Sequence, residues 1–209
     1  FTVKQVLTLT GGASYILTVP ENISSLDAAN ELYRSGKVNW SEPDLFFTNV
    51  LCYTPNDQFF NMQWSAINTG TNIPVTGTGT ADCDMDLDSA WNETLGISNC
   101  IIAISDTGID TLHADLSANL IPGSGFDFFN NDPFAFDDHG HGTACAGIAP
   151  AAGNNSIGVS GVAPLCRIIP IKWLNSSGNG NYSGAVNATV WAYQKGAWVI
   201  SNSWGFIGG

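Results

Sequence analysis

The sequence predicts an α/β fold, a doubly wound and mostly parallel sheet with flanking helices, preceded by a small α+β unit. Three observations carry this. The runs CIIAIS at 100–105, RIIPIKWL at 167–174 and AWVISNSW at 197–204 are short and largely apolar, as strands covered on both faces must be. Between the last two, SGAVNATVWAYQKG sets Val186, Val190, Trp191 and Tyr193 in a helical pattern that stops at Gly196, which makes a β-α-β unit. Near residue 50 the character of the chain changes, and the segment before it reads strand, helix, strand.

Taken in order, YILTVP at 15–20 is the first predicted strand. In SSLDAANELYRSGKV, Ser24 or Ser25 is the N-cap candidate, Leu26, Ala29, Leu32 and Tyr33 follow at helical spacing, and Gly36 ends the helix. VNWSEPDLFF at 38–47 is the second strand of this unit. Turn chemistry then marks a linker, TPNDQ at 54–58 and TGTNIPVTGTGTAD at 69–82. The expected organisation is therefore a unit over 1–50, a linker and arm over 51–82, and the main α/β domain over 83–209. In that domain Asp106 falls at the carboxyl end of the strand 100–105, and glycines flank His141 where a helix begins.

Charge narrows the classes of partner. Six basic residues against eighteen acidic ones give a net charge of −12, which repels nucleic acid and anionic membranes and suits divalent cations or extracellular solubility. No apolar run approaches the roughly 18–20 residues of a spanning helix. The chain starts at Phe1 with no initiator or signal peptide visible, so preceding sequence is expected. The five cysteines, Cys52, Cys83, Cys100, Cys145 and Cys166, lack CxxC spacing; up to two disulfides or buried reduced thiols both fit, with the pairing open.

Ligands of open parallel sheets collect beyond the carboxyl ends of strands, where Asp106 and Ser203 both fall. By itself Asp106 could be a cap or turn residue. It stands, however, in an ordered series: ISDTGID with HADL, DDHGHGTACAG, NNSIGVSGVAP and VISNSWG. These motifs, over about residues 55–209, resemble those of the subtilisin-like serine proteases, the subtilases. The resemblance implies that Asp106 is the catalytic aspartate and His141 the catalytic histidine, with no catalytic position for His139. It implies that the nucleophilic serine and the oxyanion-hole asparagine belong to sequence beyond Gly209, so that this fragment is inactive. The function implied is that of a serine endopeptidase acting on polypeptide substrates, secreted in its mature form.

The same resemblance implies that Ser203, Trp204 and Gly205 form an edge strand on which an extended peptide docks by backbone hydrogen bonds. Cys145, one helical turn after His141, is expected beneath the histidine. SWG and this cysteine resemble the kexin branch, although Thr107 stands where that branch has a second acidic residue. A structural calcium ion is implied, with Asp57, Asp115, the Asn155 side chain and the carbonyls of Ala152, Ile157 and Val159 as ligands, despite Ala114 in place of the usual proline. The 1–50 unit is similar to the end of a prodomain and is expected to act as an intramolecular inhibitor. Two other readings stay open: a catalytically dead binding module on the same scaffold, and a metal-dependent hydrolase using His139 and His141 with Asp138.

Overall fold

The computed structural model describes residues 1–9, 12–43, 53–71 and 77–205. Contacts divide the chain into two compact units, Phe1–Val50 and Leu51–Gly209.

In the first unit, strands β1 (Thr2–Leu9) and β2 (Gly12–Thr18) pair antiparallel, with a register shift between Val3 and Gln5. Only the second was legible, because β1 mixes polar and apolar residues without clean alternation. Helix α1 (Ser25–Arg34) is capped by Ser24, whose hydroxyl accepts from Asp27 N–H at 3.1 Å. Its buried residues are Ala28 and Ala29, whereas Leu26 and Tyr33 are 59% and 60% exposed. Small size, not hydrophobicity, marks its packed face. The strand expected over 38–47 is absent from its described part, 38–43, which is turn and irregular chain; 44–47 lie outside the described residues.

The second unit is α/β. A four-stranded sheet has the order β4-β5-β3-β6 and is parallel throughout. Its strands are β3 (Ile101–Asp106), β4 (Phe126–Asp127), β5 (Arg167–Lys172) and β6 (Val199–Ser201). Helix α2 (Leu87–Glu93), which sequence pattern did not reveal, buries Leu87 and Trp91 and caps a small satellite core with Ala66. Helix α3 (His141–Ile148) belongs to the cluster of Ile102, Ile104, Ile109, Leu116, Ala146 and Ile168. Helix α4 (Tyr182–Gln194) packs its Ala185, Ala188 and Ala192 with Ala103, Ile169, Ile171 and Trp173. Alternate residues of β3 and β5 enter these two clusters, so the helices cover opposite faces and the strands are apolar on both.

Pro170 lies inside β5, where a missing N–H would normally break a ladder. Its neighbours explain the tolerance. Ile168 N–H donates to Asn119 O, and Lys172 O accepts from Phe128 N–H, so the even-numbered residues of β5 turn toward the short β4 side. There Pro170 falls between the isolated bridge of Ile168 with Leu120 and the pairing with β4 that begins at Ile171 opposite Phe126, and the ladder to β3 is untouched.

The stretch 54–58, read as linker, is docked within this unit. Asp57 is buried, and Phe59 N–H donates to Gly158 O at 2.8 Å. Among the described residues no helix is long and apolar enough to cross a membrane.

Candidate active site

Asp106 ends β3 at the centre of the sheet and is fully buried. One of its oxygens, Oδ1, accepts from the Thr107 N–H at 2.7 Å and lies 2.7 Å from His141 Nδ1. A carboxylate accepts, so Nδ1 is the donor in this contact, and in the neutral ring the lone pair then lies on Nε2. The His141 side chain is 44% exposed while that of Asp106 is 1% exposed. The arrangement is an imidazole whose orientation is fixed from inside by a buried carboxylate and whose side chain is partly open to solvent.

The start of α3 is held against the turn after β3 by Asp137. Its Oδ1 accepts from the Thr107 hydroxyl at 2.8 Å and from the N–H groups of His139 and Gly140 at 3.0 and 2.9 Å. Its Oδ2 accepts from the Thr143 N–H at 2.9 Å and the Thr143 hydroxyl at 2.6 Å. The Thr107 hydroxyl in turn accepts from Gly142 N–H at 2.9 Å. Gly142 is needed for this approach, since a Cβ on it would lie 2.1 Å from Gly108 O. Lys172, buried at the end of β5, donates to Thr107 O and Leu174 O at 2.8 and 2.9 Å and pairs with Asp138 at 2.5 Å. Thr107 thus joins the two segments that carry Asp106 and His141. An acidic residue in its place would set a second carboxylate against Asp137.

Burial alone would push the Asp137 carboxyl up; the hydrogen bonds from Thr143, Gly140 and His139 outweigh it and bring it down to about 2, from an ordinary 3.8. Asp137 is only 8% exposed, so this difference is felt in stability. A depressed pKa contributes stability above the unfolded value and loses it as pH falls through the folded one, here between about 4 and about 2. Asp137→Asn is expected to cost about 2 kcal/mol near pH 6, and the gap to the parent protein should close toward pH 2. Denaturant melts at both pH values measure it; an equal gap at both would show that the charge plays no part.

His139 is exposed, with its ring centroid 6.2 Å from that of His141. Among the described residues, the close group of three metal-capable side chains is Asp106, His141 and Cys145, and His139 is not in it. Cys145 Sγ lies 3.9 Å from His141 Nδ1. Burial pushes its thiol up, against a lowering contact from the Ser203 hydroxyl.

The expected edge strand at 203–205 is not formed: β6 ends at Ser201, whose Cα partner is Ile104, and 202–205 continue as irregular chain. The physical reason is that β6 is an edge, with β3 on one side and no described strand on the other. Ser203 and Gly205 are exposed. Trp204 is anchored: its indole N–H donates to Ser105 O at 2.9 Å, and its ring meets that of Trp173 edge-on at 4.6 Å. With Tyr182, Ala185, Val186, Thr189 and Val190 it lines a cleft of about 280 Å³.

A second constellation surrounds Asp57 and Asp115. Asp57 Oδ2 accepts from Asn154 N–H at 2.6 Å, while Oδ1 is buried with no hydrogen-bond partner. Asp115 accepts from the Asn155 side-chain amide and from Val159 N–H, both at 2.8 Å. Ala152 N–H donates to Asp115 O, and Ile157 N–H to Asn155 Oδ1. Positive φ at Asn154, Ser156 and Gly158 winds the loop closely around Asp115; a Cβ at Gly158 would strike that carboxylate. All six residues expected as calcium ligands therefore belong to one loop cluster. A buried carboxylate oxygen without a donor fits a hard cation better than it fits an empty core.

A sequence profile of the subtilase family matches residues 98–207, more than half of the chain. The chain belongs to the subtilase family. Among curated relatives, it is 37% identical over 169 residues to the "Thermophilic serine proteinase" of Bacillus sp. (strain AK1), covering 80% of this chain and 37% of that one. It is 36% identical over 153 residues to "Thermitase" of Thermoactinomyces vulgaris, covering 73% and 48%. To the "Calcium-dependent protease" of Nostoc sp. (strain PCC 7120 / SAG 25.82 / UTEX 2576) it is 31% identical over 208 residues, covering 98% and 29%. The chain thus spans less than half the length of each. The solved serine protease of Aeromonas sobria in complex with its chaperone shares the fold, with a TM-score of 0.62 at 22% identity over 74% of this chain and 26% of that one.

Sequence reasoning about this subtilase missed Asp137, Thr143 and Lys172. Two signals were available. A carboxylate just ahead of a helix start is a cap in waiting, and a lysine inside an apolar strand such as RIIPIK needs buried acceptors.

Proposed function

We propose that this subtilase is the N-terminal part of a secreted serine endopeptidase in which Asp106 and His141 act with a serine carried by sequence beyond Gly209. The reading rests on one observation: the 2.7 Å contact between a buried Asp106 and Nδ1 of a partly exposed His141. Nε2 takes the proton of the serine hydroxyl as it attacks the peptide carbonyl, then delivers it to the leaving amine. Asp106 keeps the ring in the tautomer this requires and stabilises the imidazolium as it forms. The backbone at 203–205 offers an extended peptide the partner that β6 lacks, and Trp204 forms part of a side-chain subsite. Residues 1–209 alone are expected to hydrolyse peptides no faster than background. The Phe1–Val50 unit is read as prodomain-like, and adding it as a separate polypeptide should inhibit the completed enzyme.

The decisive assay is hydrolysis of fluorogenic peptides by the full-length protein, with and without a covalent serine-directed reagent. Complete block by the reagent is expected. Hydrolysis that survives the reagent but is lost on zinc removal would favour the metal-dependent reading, and no hydrolysis at all would favour a binding module.

Asp57, Asp115, Asn155 and the carbonyls of Ala152, Ile157 and Val159 would hold calcium, which when bound neutralises two buried carboxylates and ties the loop to the domain. At a free calcium concentration near 100 times Kd this adds about 2.7 kcal/mol, or roughly 5–10 °C in Tm for a domain of this size. Chelation should remove that increment in a thermal melt, and Asp57→Asn should make Tm indifferent to calcium. A parent protein whose Tm ignores chelator would remove the ion from this account.

A further inference from the structure

Cys100 and Cys166 immediately precede β3 and β5. The register pairs Ile101 with Arg167, so the two cysteines stand opposite each other where the strands begin, and Arg167 N–H donates to Cys100 O at 3.0 Å. Both side chains join the same core cluster as Ala146 of α3. Adjacent strands run about 4.7–4.9 Å apart, inside the roughly 4.4–6.8 Å between Cα atoms that a disulfide requires. Gly96 leaves the space that Cys166 Sγ occupies, since a Cβ there would lie 2.6 Å from the sulfur. Of the other described cysteines, Cys83 is exposed and Cys145 sits against His141.

We propose that Cys100 and Cys166 are a redox pair that closes to a disulfide joining the amino ends of β3 and β5. The oxidant is a small-molecule disulfide of the glutathione type. Cys100, the more exposed of the two, attacks as thiolate, forming a mixed disulfide and releasing one thiolate of the oxidant. The Cys166 thiolate then attacks Cys100 Sγ and releases the second. Two protons and two electrons pass from the cysteines to the oxidant, which leaves as two thiols. Burial, followed by the contact with Cys166, pushes the Cys100 thiol up, so closure is slow at neutral pH and quickens as pH rises.

The closed bond would tie the two central strands at the end away from Asp106 and Lys172 without touching the site. Because the loop between the cysteines is long, the oxidised form should melt roughly 8–16 °C above the reduced form. The test is to incubate the full-length protein with oxidised glutathione, denature it without reductant, alkylate remaining thiols and map cross-links by peptide fragmentation. A link between Cys100 and Cys166 is expected in the unaltered protein. It should persist in Cys83→Ala and Cys145→Ala and vanish in Cys100→Ser and Cys166→Ala. Alkylation of both Cys100 and Cys166 after oxidation, or a link from either to another cysteine, overturns the proposal.

Discussion

Replacing His141 by alanine in the full-length protein is expected to lower kcat by about a millionfold, the loss found for the corresponding change in subtilisin, a member of this family. Asp106→Asn should cost about ten-thousandfold, because the amide turns the imidazole to the wrong tautomer without displacing it. KM should change little in either variant, since neither side chain docks the peptide in this reading. The two effects should not add in the double variant: both residues act through one proton, and once the base is gone its orienting partner has nothing to orient. Steady-state kinetics on a peptide substrate separate these outcomes. A His141→Ala protein with a tenth of the parent kcat would remove His141 from the mechanism, and retained activity in Asp106→Asn would make the buried contact structural only. His139→Ala provides the matching control and should keep near-parent kcat, as its exposed ring lies outside the Asp106 contact.

The second large effect is steric. Gly142 lies in the first turn of α3, and a Cβ there would stand 2.1 Å from Gly108 O and 3.1 Å from Asp106 Cβ. The first obstacle is backbone, which cannot swing aside as a side chain can. Gly142→Ala must therefore push α3 away from β3, breaking the Gly142 N–H bond to Thr107 and stretching the contact between His141 and Asp106. We expect a loss of about 3 kcal/mol in stability. A fall in kcat of about a hundredfold should accompany it, the scale of a 1 Å misplacement. The same substitution at Gly147, in the same helix, meets nothing nearer than Val159 Cγ2 at 4.0 Å. There alanine should be neutral or stabilise the protein by about 0.5–1 kcal/mol, because it restricts the unfolded chain and suits a helix. Thermal melts of the two variants decide the matter: equal losses would place the cost in helix propensity, not in contact with the β3 turn.

The site was legible in the sequence to the extent that local pattern carries it. Local pattern placed Asp106 at the end of an apolar run and His141 at the start of a closely packing helix, and the ordered motifs that resemble the subtilases singled out the two. The loop at 154–159 was legible as a turn, since NNSIGV sets turn-forming residues at short range. What failed to show were partnerships across distance. Asp137, Thr107, Thr143 and Lys172 come from three separate segments, and no periodicity in any one of them says that their polar groups meet. The strand at 203–205 was overread: a segment with no described strand beside it has no ladder to hold it extended, whatever its composition. Helix α1 shows the converse error, with hydrophobicity pointing to Leu26 and Tyr33 while the packed positions are the alanines.

By itself, the sequence determined the α/β class and the positions of β3, β5 and α4, because each depends on the spacing of residues close along the chain, and its ordered motifs pointed to Asp106 and His141 through their resemblance to the subtilases. Only the tertiary structure decided how Asp106 and His141 are held together. That depends on a carboxylate four residues before His141 reaching a threonine beside Asp106, on a buried lysine bridging both segments, and on a glycine small enough to let a helix rest on a turn. Hydrogen bonds and steric contacts of this kind act over a few ångströms of space between residues far apart in sequence, so they have no signature until the chain is folded.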